Sequence, residues 1–261
     1  GTLRLPSLIR SGKTAASFRW CLSGIHSRRL QWSDLAPQDW QPPSSSPVRG
    51  IRSSSTSVTT PSAGKLYRNE TELDQVQQVS IKVGHDSAVE YLPQENIIFN
   101  GAKGVLNTQV QISGAGLFIG WEITCLGRPE GDALFTEGTL KQTLSVYHDD
   151  ALLFIDRFNL DALSGVLTSK VGLQNYSAFA TFVINRDIES AVMQQLLDLQ
   201  SECNRASDHL LMGVTQKNGI LIIRALAHRA EPIRNQFESI WQLLRPAVYD
   251  RNACTPRIWN T

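Results

Sequence analysis

The sequence predicts a mainly-β body followed by two helices. Three observations predict it: apolar residues alternate with polar ones at period two between Gln75 and Asp161, turn residues recur roughly every 8 to 15 positions, and beyond Ile184 the apolar spacing becomes helical. A chain of 261 residues, 41% hydrophobic, can bury a sizeable core as one large β domain or two ordinary ones.

Residues 1–56 stand apart. They hold eight Lys/Arg against two Asp, with three-serine runs at 44–46 and 53–55 and five of the eleven prolines. Residues 57–261 hold seventeen basic against twenty-two acidic side chains. An Arg- and Ser-rich, acid-poor stretch has the composition of a transit peptide or a disordered basic arm. We expect residues 1–56 to be a leader that is irregular or not native to the fold, the latter through a shifted reading frame or an altered exon. A cytoplasmic protein is favoured over an organelle-targeted one. Trp20, Trp32 and Trp40 lie near arginines, but no nucleic-acid-binding module surrounds them.

The strands follow in order. Val79, Ile81 and Val83 alternate with Ser80 and Lys82; Leu106, Thr108, Val110 and Ile112 alternate with Asn107, Gln109 and Gln111; Leu140, Leu144 and Val146 oppose Lys141, Thr143 and Ser145. Such strands are covered on one face. Turns are expected at residues 84–86, 100–101, 113–114, 127–132 and 148–150. Periodicity alone leaves a sandwich, a barrel and a β-solenoid equally open.

Residues 178–184 predict one more buried strand. Ile188, Val192, Leu196, Leu199 and Cys203 then recur at helical spacing, with Asn185 or Asp187 as the expected N-cap. A hairpin of residues 210–215 and 219–226 turns at Asn218-Gly219. The second helix is expected to start near Pro232, to carry Ile233, Phe237, Ile240, Trp241 and Leu244 on one stripe, and to stop at Arg245-Pro246. The two helices and the strand pair predict a C-terminal α/β layer over about residues 185–246.

Enzyme signatures are missing. There is no Gly-x-Ser-x-Gly elbow, and His26, His85, His148, His209 and His228 fall in turns or near strand ends. Gly12-Lys13-Thr14 resembles the end of a phosphate loop, but Ser7 stands where its first glycine is required. Cys21, Cys125, Cys203 and Cys254 lie far apart and predict reduced, buried thiols rather than a zinc site. No apolar run is long enough to span a membrane.

The stretch from Glu90 to Gly138 concentrates carboxylates among apolar runs: Glu90, Glu95, Glu122 and Asp132. Glu122, beside Trp121 within a buried-looking strand, has three readings. It can form a salt bridge to Arg128 or Arg157, serve as one of a glycosidase pair, or bind a divalent cation transiently through oxygen.

Six segments, in order, carry a resemblance to a known family: residues 66–69 (Leu-Tyr-Arg-Asn), 90–95 (Glu-Tyr-Leu-Pro-Gln-Glu), 120–122 (Gly-Trp-Glu), 126–132 with Gly138, 156–158 (Asp-Arg-Phe) and 256–259 (Pro-Arg-Ile-Trp). Over about Val58 to Thr261 the chain resembles the UreD/UreH urease accessory proteins. The resemblance implies a stacked-sheet, β-helix-like body and a non-catalytic scaffold for nickel delivery, with no permanent cofactor and Ni²⁺ in transit. It implies as partners the urease apoprotein, a UreF-type helical accessory protein and, through that protein, a UreG-type GTPase, with no nucleic acid and no membrane.

Of the acids lining the family's water-filled metal passage, the resemblance carries two over to Glu122 and Asp156. It adds Gly64, with Glu90 and Glu95 as further lining candidates, and Arg68, Arg128, Arg157 and Arg257 as supporting cations. The family's Pro-Pro-Gly-Gly-rich turn ending in Gly-Asp has no counterpart in residues 1–56. Pro93, Gly127, Gly131 and Gly138 read as turn formers, and Trp259 as an anchor of the tail. The competing readings are a carbohydrate-active β-solenoid enzyme and an inactive, truncated or misread family member.

Overall fold

A computed structural model describes residues 55–58, 64–68, 73–128, 134–206, 210–256 and 259. Nearly all of the basic leader, with Gly131, Asp132, His209 and Arg257, lies outside the described residues.

Two sheets face each other. The first has eight strands: β1 (Ser55–Val58), β4 (Ala88–Tyr91), β7 (Leu117–Leu126), β10 (Ala178–Ile184), β12 (Ile220–Ala227) and β11 (Leu210–Lys217) in that order, with β5 (Asn96–Ile98) also on β7 and β2 (Lys65–Leu66) on β5. The second runs β3 (Gln75–Val83), β6 (Lys103–Ile112), β8 (Thr139–His148) and β9 (Ala151–Asp161). The chain alternates between the sheets, so β1, β4 and β7 run parallel, as do β3, β6 and β8. Antiparallel strands then take over, β9 on β8 and β10 on β7. The body is mainly β, as expected, but the β-helix is not found: both sheets are open and mixed, because the parallel ladders end after two steps at these antiparallel strands.

Burial explains the two sequence patterns. The second sheet covers one face only, and β6 alternates along its whole length between half-buried and buried positions. The first sheet is covered on both. Ile81, Val110, Leu144 and Phe118 fill part of the space between the sheets, while Trp121 and Phe182 pack on the opposite face against Phe237, Ile240 and Trp241 of helix α2 (Ala230–Tyr249). Every residue of β7 after Leu117 is therefore buried. Trp259 lies 5.6 Å from Trp121 and 5.5 Å from Trp241, anchoring the tail where the sequence placed it.

The Asn218-Gly219 turn forms with both residues at positive φ (54° and 77°), the conformation that a two-residue hairpin needs. Two helix boundaries differ from expectation. Helix α1 (Ser190–Ala206) starts past Asn185, whose side chain instead accepts from the Phe118 N–H (2.6 Å) and donates to the Gly116 carbonyl (3.0 Å). Helix α2 runs through Pro246 rather than ending there. Tertiary contacts hold its last turn: Arg186 donates to the Val248 carbonyl (2.9 Å), the Tyr249 hydroxyl to the Val89 carbonyl (3.3 Å), and Asp250, left-handed at φ 54°, closes the end through its N–H to the Pro246 carbonyl. Among the described residues no helix is long and apolar enough to cross a membrane.

Candidate functional site

Period-two geometry sends the even-numbered residues of β7 toward the second sheet, opposite to Trp121. Glu122 thus points between the sheets. Its cross-strand neighbour on β10 is Thr181, whose neighbour on β12 is Arg224, whose neighbour on β11 is Gly213. Across the gap a second row joins Thr108 of β6, Leu144 of β8 and Asp156 of β9. Along the two rows lies a cavity of about 370 Å³ whose lining includes Glu122, Asp156, Gln142, Thr181 and Arg224, with Gln174, Gln200, Asn204 and Thr215 as its other polar side chains besides apolar neighbours.

Within it the two acids have different surroundings. Glu122 is buried, its Oε1 accepting from the Thr108 hydroxyl and its Oε2 from the Gln142 amide at 3.0 Å. Gln142 is held in turn by the Thr124 hydroxyl at 2.8 Å. No cation contacts Glu122 directly among the described residues. Burial pushes its carboxyl above the ordinary value of 4.5, the Thr108 and Gln142 hydrogen bonds oppose the shift, and the charge of Asp156 adds to it. Asp156 is paired: its Oδ1 lies 3.2 Å from Arg224 Nη2, and its Oδ2 accepts from Arg224 Nε (3.3 Å) and the Thr181 hydroxyl (2.8 Å).

The raised carboxyl has a consequence for stability. An acid whose folded pKa exceeds its unfolded one binds more protons when folded, so its contribution is complete below pH 4.5 and falls as pH rises through the folded value. Glu122→Gln is expected to flatten the decline in unfolding free energy above pH 4.5, read by urea denaturation across pH. An unchanged slope would contradict the assignment.

The other sequence candidates lie elsewhere. Glu90 is buried against α2, accepting from Trp241 Nε1 (2.8 Å) and from Arg245 Nε and Nη2 (2.9 and 3.2 Å). Glu95 pairs with Arg234 of the same helix at 3.1 Å. Both acids fasten a helix and neither lines the cavity. Gly64 packs against Asn96, whose Oδ1 would lie 2.1 Å from an added Cβ, so its smallness serves the β2–β5 contact. Arg68 pairs with Glu137 at 3.0 Å in an exposed bridge. Arg128 and Arg157 are exposed. The expected salt bridge from Glu122 to either is therefore replaced by hydrogen bonds to Thr108 and Gln142. Arg157 follows Asp156 on the same strand, so alternation turns it to the outer face.

Cys125 is buried, but Cys203 is half-buried and Cys254 exposed, so the expectation of uniformly buried thiols fails. Among the described residues no group of three or more His, Cys, Asp or Glu side chains is arranged to hold a metal ion.

Arg224, Thr181, Gln142 and Thr108 were missed. Two of them carried a signal in the sequence: Arg224 interrupts an apolar strand of residues 220–227, as Glu122 interrupts its own, and Thr108 is the polar member of the apolar face of residues 106–112.

A model of the family described as UreD urease accessory protein matches residues 50–260. The chain is 36% identical over 205 residues to a urease accessory protein UreD of Saccharophagus degradans, covering 78% of this chain and 69% of the relative. It is 37% identical over 212 residues to the UreD of Hahella chejuensis, with 78% and 68% covered, and 32% identical over 218 residues to that of Psychromonas ingrahamii, with 78% and 71% covered.

Proposed function

Because the chain belongs to the UreD urease accessory protein family, whose members are non-catalytic proteins of urease maturation, we propose that it acts in the cytoplasm as the scaffold through which nickel reaches the urease apoprotein. In this reading residues 57–261, with Ser55 and Thr56 as the start of β1, form the working domain. They bridge urease to a UreF-type helical protein and, through it, to a UreG-type GTPase. Ni²⁺ is cargo, and the inter-sheet cavity is a step on its route.

The observation that supports this reading is the convergence of Glu122 and Asp156, acids from different sheets, on one cavity with polar side chains around them. Two carboxylates with amide and hydroxyl oxygens nearby suit a hard or borderline divalent ion. A site with few ligands binds weakly enough to release, which favours transit over storage. Nickel at Glu122 displaces the proton that burial favours there, so occupancy strengthens as pH rises.

The test is to assemble urease apoprotein, the UreF-type protein and the UreG-type GTPase with and without this chain, and to measure nickel in the recovered urease. Nickel that depends on the chain supports the scaffold. Equal nickel in its absence would remove it.

A further inference from the structure

We infer that Arg224 is a displaceable counter-ion: it neutralises Asp156 while the cavity is empty and swings outward over Gly213 when a divalent cation arrives. The inference rests on the proposed cation passage and adds to it a residue that sets when, and for which charge, the passage opens. Three observations carry it.

Arg224 grips Asp156 through two nitrogens, at 3.2 and 3.3 Å, so this carboxylate already has a cation and is closed to another until the guanidinium leaves. The Arg224 side chain is 31% exposed against 15% for Asp156, so the guanidinium lies on the solvent side of the acid that it covers. Beside it, at the register position opposite Arg224 on β11, is Gly213, an exposed residue inside a strand.

Glycine within a strand weakens it and marks a place where something else comes close. An added Cβ at Gly213 would have no atom within 4 Å, and cross-strand partners face the same way, so open space lies beside the Arg224 side chain. A flexible side chain can enter it without unfolding anything. Thr181 continues to donate to Asp156 and holds the acid in place meanwhile. Charge then selects the ion. A monovalent cation brings only the charge that the guanidinium already supplies, whereas a divalent one brings twice as much to the same carboxylate and gains Glu122 as well.

The experiment uses the complex with its accessory partners and Ni²⁺ alone as probe, titrated calorimetrically. Arg224→Gln removes the competing charge and is expected to tighten Ni²⁺ binding about tenfold or more. Arg224→Lys keeps the charge and is expected to stay near the original affinity. Gly213→Val fills the space and is expected to weaken binding by holding Arg224 on Asp156. A tighter Arg224→Gln variant is a gain that structural damage would not produce. Unchanged or weaker affinity in Arg224→Gln would overturn the inference. The nickel content of urease matured with the Glu122/Asp156 double variant separates the two ideas: if it falls while Arg224→Gln leaves affinity unchanged, the counter-ion role fails alone, and if it stays normal, the passage itself fails.

Discussion

Glu90→Ala is expected to lower the unfolding free energy by about 3–5 kcal/mol, because it leaves a desolvated arginine without its counter-charge. Glu90 is 6% exposed at its side chain and accepts three hydrogen bonds from α2, one from Trp241 and two from Arg245. The loss of the carboxylate strands the indole N–H and most of the guanidinium, whose other contacts are the Asn252 carbonyl and the Trp241 ring at 5.6 Å. Helix α2 covers the outer face of the first sheet, so the damage spreads to the packing of Phe237 and Trp241. Exposure decides between this pair and a superficially similar one. Arg68–Glu137, 70% and 57% exposed, is screened by water, and Arg68→Ala should change stability by no more than about 1 kcal/mol. Urea denaturation of both variants checks the contrast, and a Glu90→Ala loss as small as that of Arg68→Ala would refute the anchoring role.

The second large effect is on metal transfer. Glu122→Ala combined with Asp156→Ala is expected to leave the accessory complex assembled and to lower the nickel content of urease roughly tenfold or more, the scale on which metal sites respond to loss of even supporting groups. Both side chains line the space between the sheets, Glu122 buried and Asp156 15% exposed at its side chain, so the change leaves nearly all of the outer surface as it is. The double change matters because the acids are coupled: the charge of Asp156 already contributes to the raised pKa of Glu122, and either one left alone can still attract a cation. Removing both also leaves Arg224 without its carboxylate, making the cavity repel cations rather than merely ignore them. The isosteric pair Glu122→Gln and Asp156→Asn preserves volume and separates loss of charge from loss of packing.

The sequence disclosed most where burial was one-sided. Strands β3, β6 and β8 announced themselves because their outer faces meet water. The stripe from Ile233 to Leu244 marked α2 for the same reason. The first sheet was harder, since coverage on both faces removes the alternation that reveals a strand's register. Helix ends were misread where tertiary contacts overrode local rules, as at Pro246 and Asn185.

The site was half legible. Glu122 stood out as a charge in an apolar strand, and Asp156 came only with the family resemblance. Their meeting depends on β7 lying inside one sheet, β9 at the end of the other, and the two sheets facing each other, which no local pattern encodes. Arg224 could have been found by the criterion that found Glu122. Glu90 and Glu95 misled because a carboxylate that binds a helix and one that faces a cavity look alike in one dimension.

The most direct measurement is metal analysis of urease recovered from the complex assembled with the Glu122→Ala/Asp156→Ala chain, with assembly followed in parallel. An intact complex that yields nickel-poor urease is the result that a passage through this cavity predicts. An intact complex that yields fully nickel-loaded urease would contradict it.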